Sequence, residues 1–318
     1  MKMELTSSIG AFIKMFLEFK RSQGLKYHTG EYYLSKLNDY WSLNGFDSQF
    51  SKEHIYGWIK RKEHENPTTH SYRIIFLREF SRFLQAQGLP NTYVIPRGMS
   101  KKGSKYMPYL LSEDKIEKFF LACDKIKPSK ENPCKPLVLP AYFRFLYCCG
   151  VRTGEARLLK MKDVNLSQGF IDIMKTKGGH CRRLFLSHEL VKWLEKITSR
   201  FSQCYPIRNY YFPRNATEAY SIQEIACSFN KIWRDAGLPL GCQPKPRAYC
   251  FRHHFAFANI NRWVEKGYDV NGMLPYLMNY MGHSSIQSTF YYIHLIPDFF
   301  GVYSEKAKVL ESMIPEVV

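Results

Sequence analysis

The chain lacks any long apolar run, and this absence excludes a transmembrane segment. Its longest apolar stretches, such as residues 145–151, are far shorter than the roughly 18 to 20 residues that span a bilayer. The first residues contain no small-residue cleavage site after their apolar run, so we expect no signal peptide and a cytoplasmic location. The nine cysteines include no Cys-x-x-Cys pair, which argues against a zinc or redox site and suits a reducing compartment.

Acidic residues are scarce relative to basic ones. The 28 Asp and Glu residues stand against 46 Lys and Arg residues, which leaves a formal net charge of +18 at pH 7. Such a field attracts polyanions, so nucleic acid is the leading predicted partner. A hydrophobic content of 45% with 16% aromatic residues excludes a disordered basic tail, because these residues supply a core. At 318 residues the chain is longer than one core usually supports, and we expect two lobes.

The first lobe is predicted to span residues 1–95 and to consist of four short helices. Its apolar residues recur at helical spacing, and its other positions carry many basic residues that suit DNA phosphates, with a solvated basic surface as the alternative. Residues 96–108 contain four basic residues, no acidic residue, two glycines and two prolines, which is typical of a flexible linker. An ordinary solvated linker is one alternative, but the charge of the chain favours DNA contact. The basic residues of the linker are Arg97, Lys101, Lys102 and Lys105.

The second lobe is predicted to span residues 109–318, with a carboxy-terminal tail at 303–318. Helical patterns dominate it, but two strand-like runs at 170–175 and 182–186 flank a turn that contains Lys177, which predicts a hairpin. The predicted fold class is therefore mostly α with a small antiparallel sheet, a helical domain followed by a mixed α/β domain. We also predict DNA contacts from basic residues in and after the hairpin, namely Arg182, Arg183, Lys231, Lys245 and Arg247.

Four separated clusters in the second lobe hold residue types that suit phosphodiester chemistry. A glycine-flanked Arg is followed three residues later by a Glu, and a Lys lies in the hairpin turn. Farther on, an Arg lies in an aromatic helix, and a Gly-His pair, expected to open a helix, precedes two adjacent tyrosines. Alone, the first Arg–Glu pair would suit an ion pair on a helix surface. In chain order the residues are Arg152, Glu155, Lys177, Arg252, Gly282, His283, Tyr291 and Tyr292.

In this order the clusters resemble the tyrosine recombinase family, of the phage-integrase and Xer type. The family pattern has Gly-x-Arg-x-x-Glu, a hairpin Lys, His-x-x-Arg, Leu-Gly-His and a Tyr nine residues after that His. The similarity spans about residues 108–300, and the first lobe is similar to the helical core-binding domain of the family. The resemblance implies an enzyme that cuts and rejoins DNA at specific sites through a covalent 3′-phosphotyrosine intermediate, with no cofactor and no metal.

Carried over residue by residue, the resemblance implies two catalytic arginines, a lysine, a histidine and a tyrosine nucleophile. Elementary chemistry agrees, because each guanidinium can bind two non-bridging phosphate oxygens as negative charge develops. The lysine would donate a proton to the leaving 5′ oxygen, and the histidine would donate a hydrogen bond or act as a base near the phosphate. Glu155 matches the supporting acid and would hold the first arginine. The catalytic residues are Arg152, Arg252, Lys177, His283 and Tyr292.

The sequence departs from the family pattern at two positions. Tyr249 stands where the family usually has the His of His-x-x-Arg, and Met281 stands where it has Leu. Met for Leu conserves side-chain volume. A phenol stays protonated at neutral pH, so Tyr249 can donate a hydrogen bond to a phosphate or leaving oxygen but cannot relay a proton from the nucleophile. Tyr249 is kept among the predicted catalytic residues, and its substitution bears on the rate of the reaction rather than on its class.

The resemblance also implies the partners. These are double-stranded DNA with specific recombination sites and further copies of the chain, as a tetramer on DNA, with an accessory protein left open. We predict DNA integration by an integrase or transposase of a mobile element, on the basis of Tyr249. The alternatives are an Xer-type resolvase of chromosome dimers or plasmids, a type IB topoisomerase, and an inactive DNA-binding relative. The tail at 303–318 is expected to dock either on a neighbouring protomer or on its own lobe.

Overall fold

The computed structural model describes residues 5–89, 91–99, 107–174, 181–283 and 285. The chain divides into two compact units, Met1–Lys105 and Tyr106–Val318. The finer division into 1–95, 96–108 and 109–318 stays a prediction, because most of the linker lies outside the described ranges. The predicted tail at 303–318 also lies outside them, as do the site residues Lys101, Lys102, Lys105, Lys177 and Tyr292.

The first unit contains four helices and no strand within its described part. Local signals set the starts of two helices: the Ser51 hydroxyl accepts from the backbone N–H of His54, and the Asn66 side chain accepts from the N–H of Thr68. The aromatic core includes Trp41, whose ring stacks on Phe50 at a centroid distance of 4.7 Å. The helices are α1 Gly10–Ser22, α2 His28–Asn44, α3 Lys52–Ile59 and α4 Pro67–Ala86.

The second unit combines helices with a small sheet. Its longest apolar helix, Lys135–Cys149, lies in the core and contacts several neighbouring helices, because most of its side chains are buried. A single turn of 3-10 helix follows at Met161–Asp163. Within the described ranges the helices are α5 Glu113–Cys123, α6 Lys135–Cys149, α7 Thr153–Arg157, α8 His188–Cys204, α9 Ile222–Asp235, α10 Cys250–Glu265 and α11 Val270–Met281.

The sheet has three antiparallel strands in the order β1–β2–β3 over the residues that the structure describes. These are β1 Val164–Asn165, β2 Phe170–Ile173 and β3 Arg182–Phe185. In the β2–β3 hairpin, Ile171 pairs with Leu184 and Ile173 pairs with Arg182. Side chains alternate between the faces of a strand, so Arg182 shares the inner face with the buried Leu184. The prediction of a mostly α fold with a small antiparallel sheet is confirmed.

Helices α6 and α11 both end at a glycine next to predicted site residues. Gly150 ends α6 with a φ of 58°, and Gly282 ends α11 with a φ of 65°. Both lie in the left-handed region that glycine enters without strain. The Gly282–His283 pair, expected to open a helix, therefore stands directly after one. No helix within the described ranges is long and apolar enough to span a bilayer.

Candidate active site

Arg152 and Glu155 meet at the start of α7. The chain turns at Gly150, and Arg152 is the extended residue that precedes the helix. The Glu155 carboxylate accepts from the backbone N–H of Arg152 at 2.9 Å and from its Nη1 at 2.7 Å. Such a contact satisfies one of the N–H groups that a helix start leaves without a partner. Glu155 thereby fixes both the backbone and the side chain of Arg152.

Arg182, for which the sequence predicts a DNA contact, is directed into the site instead. Its Nη1 and Nη2 donate to the two carboxylate oxygens of Glu155 at 3.0 and 2.8 Å, and its Nε donates to the carbonyl of Tyr280 at 2.7 Å. The Arg182 side chain is only 10% exposed, so it is largely covered and occupied by protein acceptors. The strand alternation that places it beside Leu184 explains this inward direction.

Three consecutive carbonyls at the end of α11 each accept a hydrogen bond from a different arginine. Arg182 binds the carbonyl of Tyr280, Arg252 binds that of Met281 at 2.6 Å, and Arg152 binds that of Gly282 at 2.6 Å. The last carbonyls of a helix lack partners within the helix, and the negative end of the helix dipole favours cations. The end of α11 thus gathers guanidinium groups from β3, α10 and the start of α7.

Arg252 also binds the end of α6. Its side chain is buried, and its Nη1 donates to the carbonyl of Gly150 at 2.9 Å. The same guanidinium therefore connects the ends of α6 and α11. An Arg fork that reaches two separate carbonyls is a rigid connection, because the guanidinium is planar and its N–H groups have fixed directions. Arg252 holds the two helix ends at a fixed separation.

His283 directly follows the gathered carbonyls. Its backbone N–H donates to the carbonyl of Met278 at 3.0 Å. Burial, and then the positive charges of Arg252, Arg152 and Arg182, lower the pKa of His283 from 6.5 to about 4. The imidazole is consequently neutral at neutral pH, and a neutral imidazole can both accept a proton and donate a hydrogen bond.

The site carries excess positive charge. Burial by itself would raise the pKa of Glu155, but hydrogen bonds and charges from Arg182 and Arg152 lower it below its ordinary value. Glu155 is therefore ionised at neutral pH. Its single negative charge balances only one of the three positive charges of Arg152, Arg182 and Arg252. Arg152 is the more exposed partner of the pair, at 21% against 2% for Glu155. A cationic, partly enclosed site of this kind suits an anionic group such as a phosphate.

Tyr249 lies at the amino-terminal end of α10. The residue is 37% exposed, and its ring meets that of His253 edge-on at a centroid distance of 4.9 Å. It lines a cavity of about 320 Å³ together with Thr153 and Gly154, the two residues that follow Arg152. Two predicted DNA contacts, Lys245 and Arg247, line the same cavity.

The other predicted contacts in the described ranges are exposed. Arg183 projects from the outer face of β3, pairs with Asp172 at 2.8 Å and covers the ring of Phe170. Lys231 lies on the exposed side of α9, and Arg97 lies on the surface of the first unit. Lys177 and Tyr292 lie outside the described ranges. Those ranges contain no group of three or more His, Cys, Asp or Glu residues that could hold a metal ion.

The sequence reasoning missed the inward role of Arg182 and the part played by the α11 carbonyls. A signal for the first was available, because alternation in the strand assigns Arg182 and Leu184 to one face and Arg183 and Phe185 to the other. The carbonyl groups carry no residue-type signature, so the sequence offers no comparable signal for them.

Comparison with known proteins identifies the family of the chain. Residues 110–297 match the model of the phage integrase family. The chain therefore belongs to that family. Within the family it is a tyrosine recombinase, an enzyme of DNA recombination.

Two curated relatives illustrate the similarity. The chain is 26% identical over 293 residues to a Sinorhizobium fredii protein named as integrase/recombinase y4rB, covering 90% of this chain and 92% of that protein. It is also 26% identical over 234 residues to the tyrosine recombinase XerC of Lactobacillus delbrueckii subsp. bulgaricus, covering 72% of each chain.

Solved structures show the same fold. A XerH recombinase in a post-cleavage complex with a palindromic difH substrate has a TM-score of 0.63 and 22% identity, covering 88% of this chain and 78% of that one. A lambda integrase tetramer on a Holliday junction has a TM-score of 0.62 and 16% identity, covering 89% and 76%. The Tn1549 transposon integrase with a circular intermediate DNA has a TM-score of 0.64 and 14% identity, covering 93% and 99%.

Proposed function

We propose that the protein is a site-specific recombinase that cuts and rejoins double-stranded DNA through a covalent 3′-phosphotyrosine intermediate. One observation carries this proposal: the end of α11 gathers Arg152 and Arg252 beside His283, although the three residues come from distant parts of the chain. The supporting carboxylate of Glu155 is ionised and buried next to Arg152. These groups are what a phosphodiester needs when charge develops on its non-bridging oxygens.

The proposed reaction starts with the hydroxyl of Tyr292, whose oxygen attacks the phosphorus atom while its proton passes to the neutral imidazole of His283. The bond between phosphorus and the 5′ oxygen breaks, and that oxygen takes a proton from Lys177. The Arg152 and Arg252 guanidiniums stabilise the charge on the non-bridging oxygens. A 5′ hydroxyl of a second strand reverses the step by attacking the phosphotyrosine. The energy of the phosphodiester bond is kept in the phosphotyrosine bond, so no external energy source is needed.

Two further side chains complete the proposed site. His283, neutral at neutral pH because its pKa is about 4, donates a hydrogen bond to the phosphate or accepts the proton of the nucleophile. Tyr249 donates a hydrogen bond to a phosphate or leaving oxygen, which suits its position beside Thr153 and Gly154. Because a phenol does not take up a proton at neutral pH, proton transfer from the nucleophile falls to other groups.

The proposed DNA contacts form two sets. In the first unit, Arg78 donates to the carbonyls of Ile95 and Pro96 at 2.9 and 2.8 Å, which brings the exposed Arg97 close to it. Burial, then the charges of Arg82 and Arg97, lower the pKa of Arg78, as expected where guanidiniums cluster. Such a cluster suits phosphate. In the second unit the proposed contacts are Lys231, Lys245, Arg247 and the exposed Arg183. The linker is proposed to add Lys101, Lys102 and Lys105.

For the biological role, we propose DNA integration or transposition of a mobile element, with four protomers on DNA. The relative named integrase/recombinase, matched over 90% of this chain, and the transposon integrase with the same fold support this choice. The lambda integrase tetramer on a Holliday junction supports the assembly. The alternatives to this role are an Xer-type resolvase and a type IB topoisomerase. Dependence on a particular DNA site tests the second, since a topoisomerase acts on supercoiled DNA without such a site.

The decisive experiment compares the wild type with Tyr292→Phe on labelled duplexes that carry the sequences flanking the gene. A nick near each candidate cleavage position traps the cut strand, and the readout is an SDS-resistant protein–DNA adduct. Tyr291→Phe is the matched control, because it removes the neighbouring phenol. We expect the adduct in the wild type and in Tyr291→Phe and none in Tyr292→Phe. DNA binding without an adduct in the wild type would contradict the proposal and favour an inactive DNA-binding relative.

A further inference from the structure

Arg182 connects three elements of the second unit. Its three donated hydrogen bonds run from β3 to the Glu155 carboxylate on α7 and to the Tyr280 carbonyl on α11. The guanidinium and the carboxylate meet in a two-bond, fork-to-fork arrangement, which is the most directional form of ion pair. A side chain that is 10% exposed and bonded in this way serves the protein interior rather than the surface.

The Glu155 carboxylate is shared equally between two arginines. Each oxygen accepts one hydrogen bond from Arg182, and the other two bonds come from Nη1 and the backbone N–H of Arg152. An ionised carboxylate offers about four acceptor positions, so these four bonds saturate it. Glu155 is therefore placed by Arg182 from one side and places Arg152 on the other.

The contacts close into a ring at the end of α11. From the Tyr280 carbonyl the ring passes through Arg182, Glu155 and Arg152 and returns to the carbonyl of Gly282. His283 is the next residue of the chain. In a closed ring of directional bonds no member moves alone, so the separation between the Arg152 guanidinium and His283 depends on Arg182.

Gly282 supports the same conclusion from packing. A Cβ atom at this position would lie 2.9 Å from Nη1 and 3.1 Å from Cζ of Arg182. The guanidinium therefore packs directly against the backbone of the turn that precedes His283. It supports that turn by contact as well as by its hydrogen bond to Tyr280.

We propose that Arg182 is a positioning residue for the active site: through Glu155 and the end of α11 it fixes Arg152 and His283 relative to each other. This inference rests on the proposed function for its effect on catalysis. Arg182 is also the first residue of β3, so it belongs to the β2–β3 hairpin. One side chain thus couples the hairpin to the phosphate site.

The first test measures single-turnover strand cleavage at saturating DNA, on a nicked duplex that gives the adduct in the wild type. We expect Arg182→Met to lower the rate about 100-fold, as a displacement of roughly 1 Å does in other sites, without a change in DNA affinity. Arg182→Lys should recover part of the rate, because an ammonium keeps the charge but lacks the planar fork. A wild-type rate in Arg182→Met would overturn the inference.

Arg144→Met is the matched control. Arg144 forms an equivalent two-bond pair with Asp124, at 2.7 and 2.6 Å, and its side chain is 28% exposed. Urea unfolding of both variants identifies any loss of stability. We expect Arg144→Met to keep the wild-type cleavage rate. An equal loss of cleavage in the two variants would assign the effect to general stability and overturn the positioning role.

A double-mutant cycle tests whether Arg182 acts through Glu155. If it does, Arg182→Met lowers the cleavage rate much less in a Glu155→Gln background than in the wild type, because the connection is already broken. Full additivity of the two effects would show that Arg182 acts independently of Glu155, against the inference.

A second readout does not depend on catalysis. The charged groups around His283 are Arg252, Arg152, Arg182 and Glu155, and the loss of one cation from this set favours the protonated imidazole. We expect the NMR titration of His283, assigned with His283→Asn, to move to higher pH in Arg182→Met and to stay in place in Arg144→Met. An unchanged titration would overturn the inference. Absence of an adduct in the wild type would instead overturn the proposed function, and this titration would still decide the position of Arg182.

Discussion

The guanidiniums of Arg152 and Arg252 bind adjacent carbonyls, those of Gly282 and Met281, each at 2.6 Å. The helix end therefore sets the spacing of the two arginines before any DNA arrives. A site whose charges are already in place has less to reorganise when negative charge develops on a phosphate. The carboxy-terminal end of α11 is thus a structural template for the proposed phosphate site.

The first prediction concerns Glu155, a buried carboxylate that accepts hydrogen bonds from the guanidiniums of Arg152 and Arg182. Glu155→Gln should destabilise the second unit by about 3 kcal/mol at pH 7, because it leaves Arg152 and Arg182 without their shared counterion. Urea unfolding of the two proteins measures the difference. The same variant should lower the cleavage rate, because the Arg152 guanidinium loses the group that orients it.

The pH dependence of that difference provides the control. The pKa of Glu155 is lower in the folded protein than its ordinary value of 4.5, so its stabilisation is present above pH 4.5 and is lost as the pH falls through the folded pKa. The gap in stability between the wild type and Glu155→Gln should therefore narrow as the solution is made more acidic than pH 4.5. A gap that does not depend on pH would mean that packing, not charge, accounts for the loss.

The second prediction concerns Gly150, whose carbonyl accepts from Arg252. A Cβ atom at Gly150 would lie 2.9 Å from the Cβ of Phe255, close to the backbone of α10, where the ring cannot swing away. Gly237 is the matched control: its φ of 71° is similar, and no described atom lies within 4 Å of the added Cβ. Both alanine variants bear the cost of a left-handed residue, about 1 kcal/mol.

The free energy of unfolding of Gly150→Ala should therefore be roughly 2 kcal/mol lower than that of Gly237→Ala, because only the first variant also over-packs the core. Chemical denaturation measures both variants. Equal losses of stability would show that the space beside Phe255 is larger than the structure indicates.

The sequence predicts elements better than it predicts the partners of side chains. The four helices of the first unit and the β2–β3 hairpin follow from local periodicity, which is a property of neighbouring residues. Arg182 shows the limit. Alternation in the strand assigns it to the inner face, but its acceptors on α7 and α11 come from elements distant in the chain. The charge of Arg182 by itself indicates only a DNA contact.

The α11 carbonyls show the same limit more strongly. Every residue has a carbonyl, so no residue type marks those of Tyr280, Met281 and Gly282 as acceptors for arginines. Their role arises because a helix end leaves carbonyls without partners and because the fold brings three guanidiniums to that end. Only the tertiary structure contains this information.

The third prediction concerns acid sensitivity. Burial, followed by nearby arginine charge, lowers the pKa of His283 and of His253 from 6.5 to about 4. Between these values the unfolded chain binds protons that the folded chain does not, so stability falls as the pH decreases from 6.5 towards 4. Each histidine should account for a loss of about 1 kcal/mol between pH 7.5 and 5.5.

Urea unfolding at the two pH values measures this loss. On acidification His283→Asn should lose less stability than the wild type. The difference should equal the loss of about 1 kcal/mol assigned to one histidine. His28→Asn, which changes a side chain that is 80% exposed, is the control and should behave as the wild type does. A His283→Asn protein with the full wild-type loss would contradict a neutral, half-buried imidazole at this position.

The fourth prediction concerns salt. Each phosphate that a protein cation neutralises releases counterions, and the logarithm of the binding constant falls with the logarithm of salt concentration by about 0.9 per contact. If the proposed contacts form, removal of one of them should make that slope shallower by about one unit as well as weaken binding. Lys231→Ala on α9 and Arg97→Ala in the first unit test one contact in each unit. The control is Lys118→Ala, which removes the same charge from an exposed residue of α5 that pairs with Asp114 at 2.9 Å. Simple loss of net charge affects all three variants alike. A salt slope that changes only in Lys231→Ala and Arg97→Ala therefore identifies direct phosphate contacts. Equal salt slopes in all three variants would exclude such contacts.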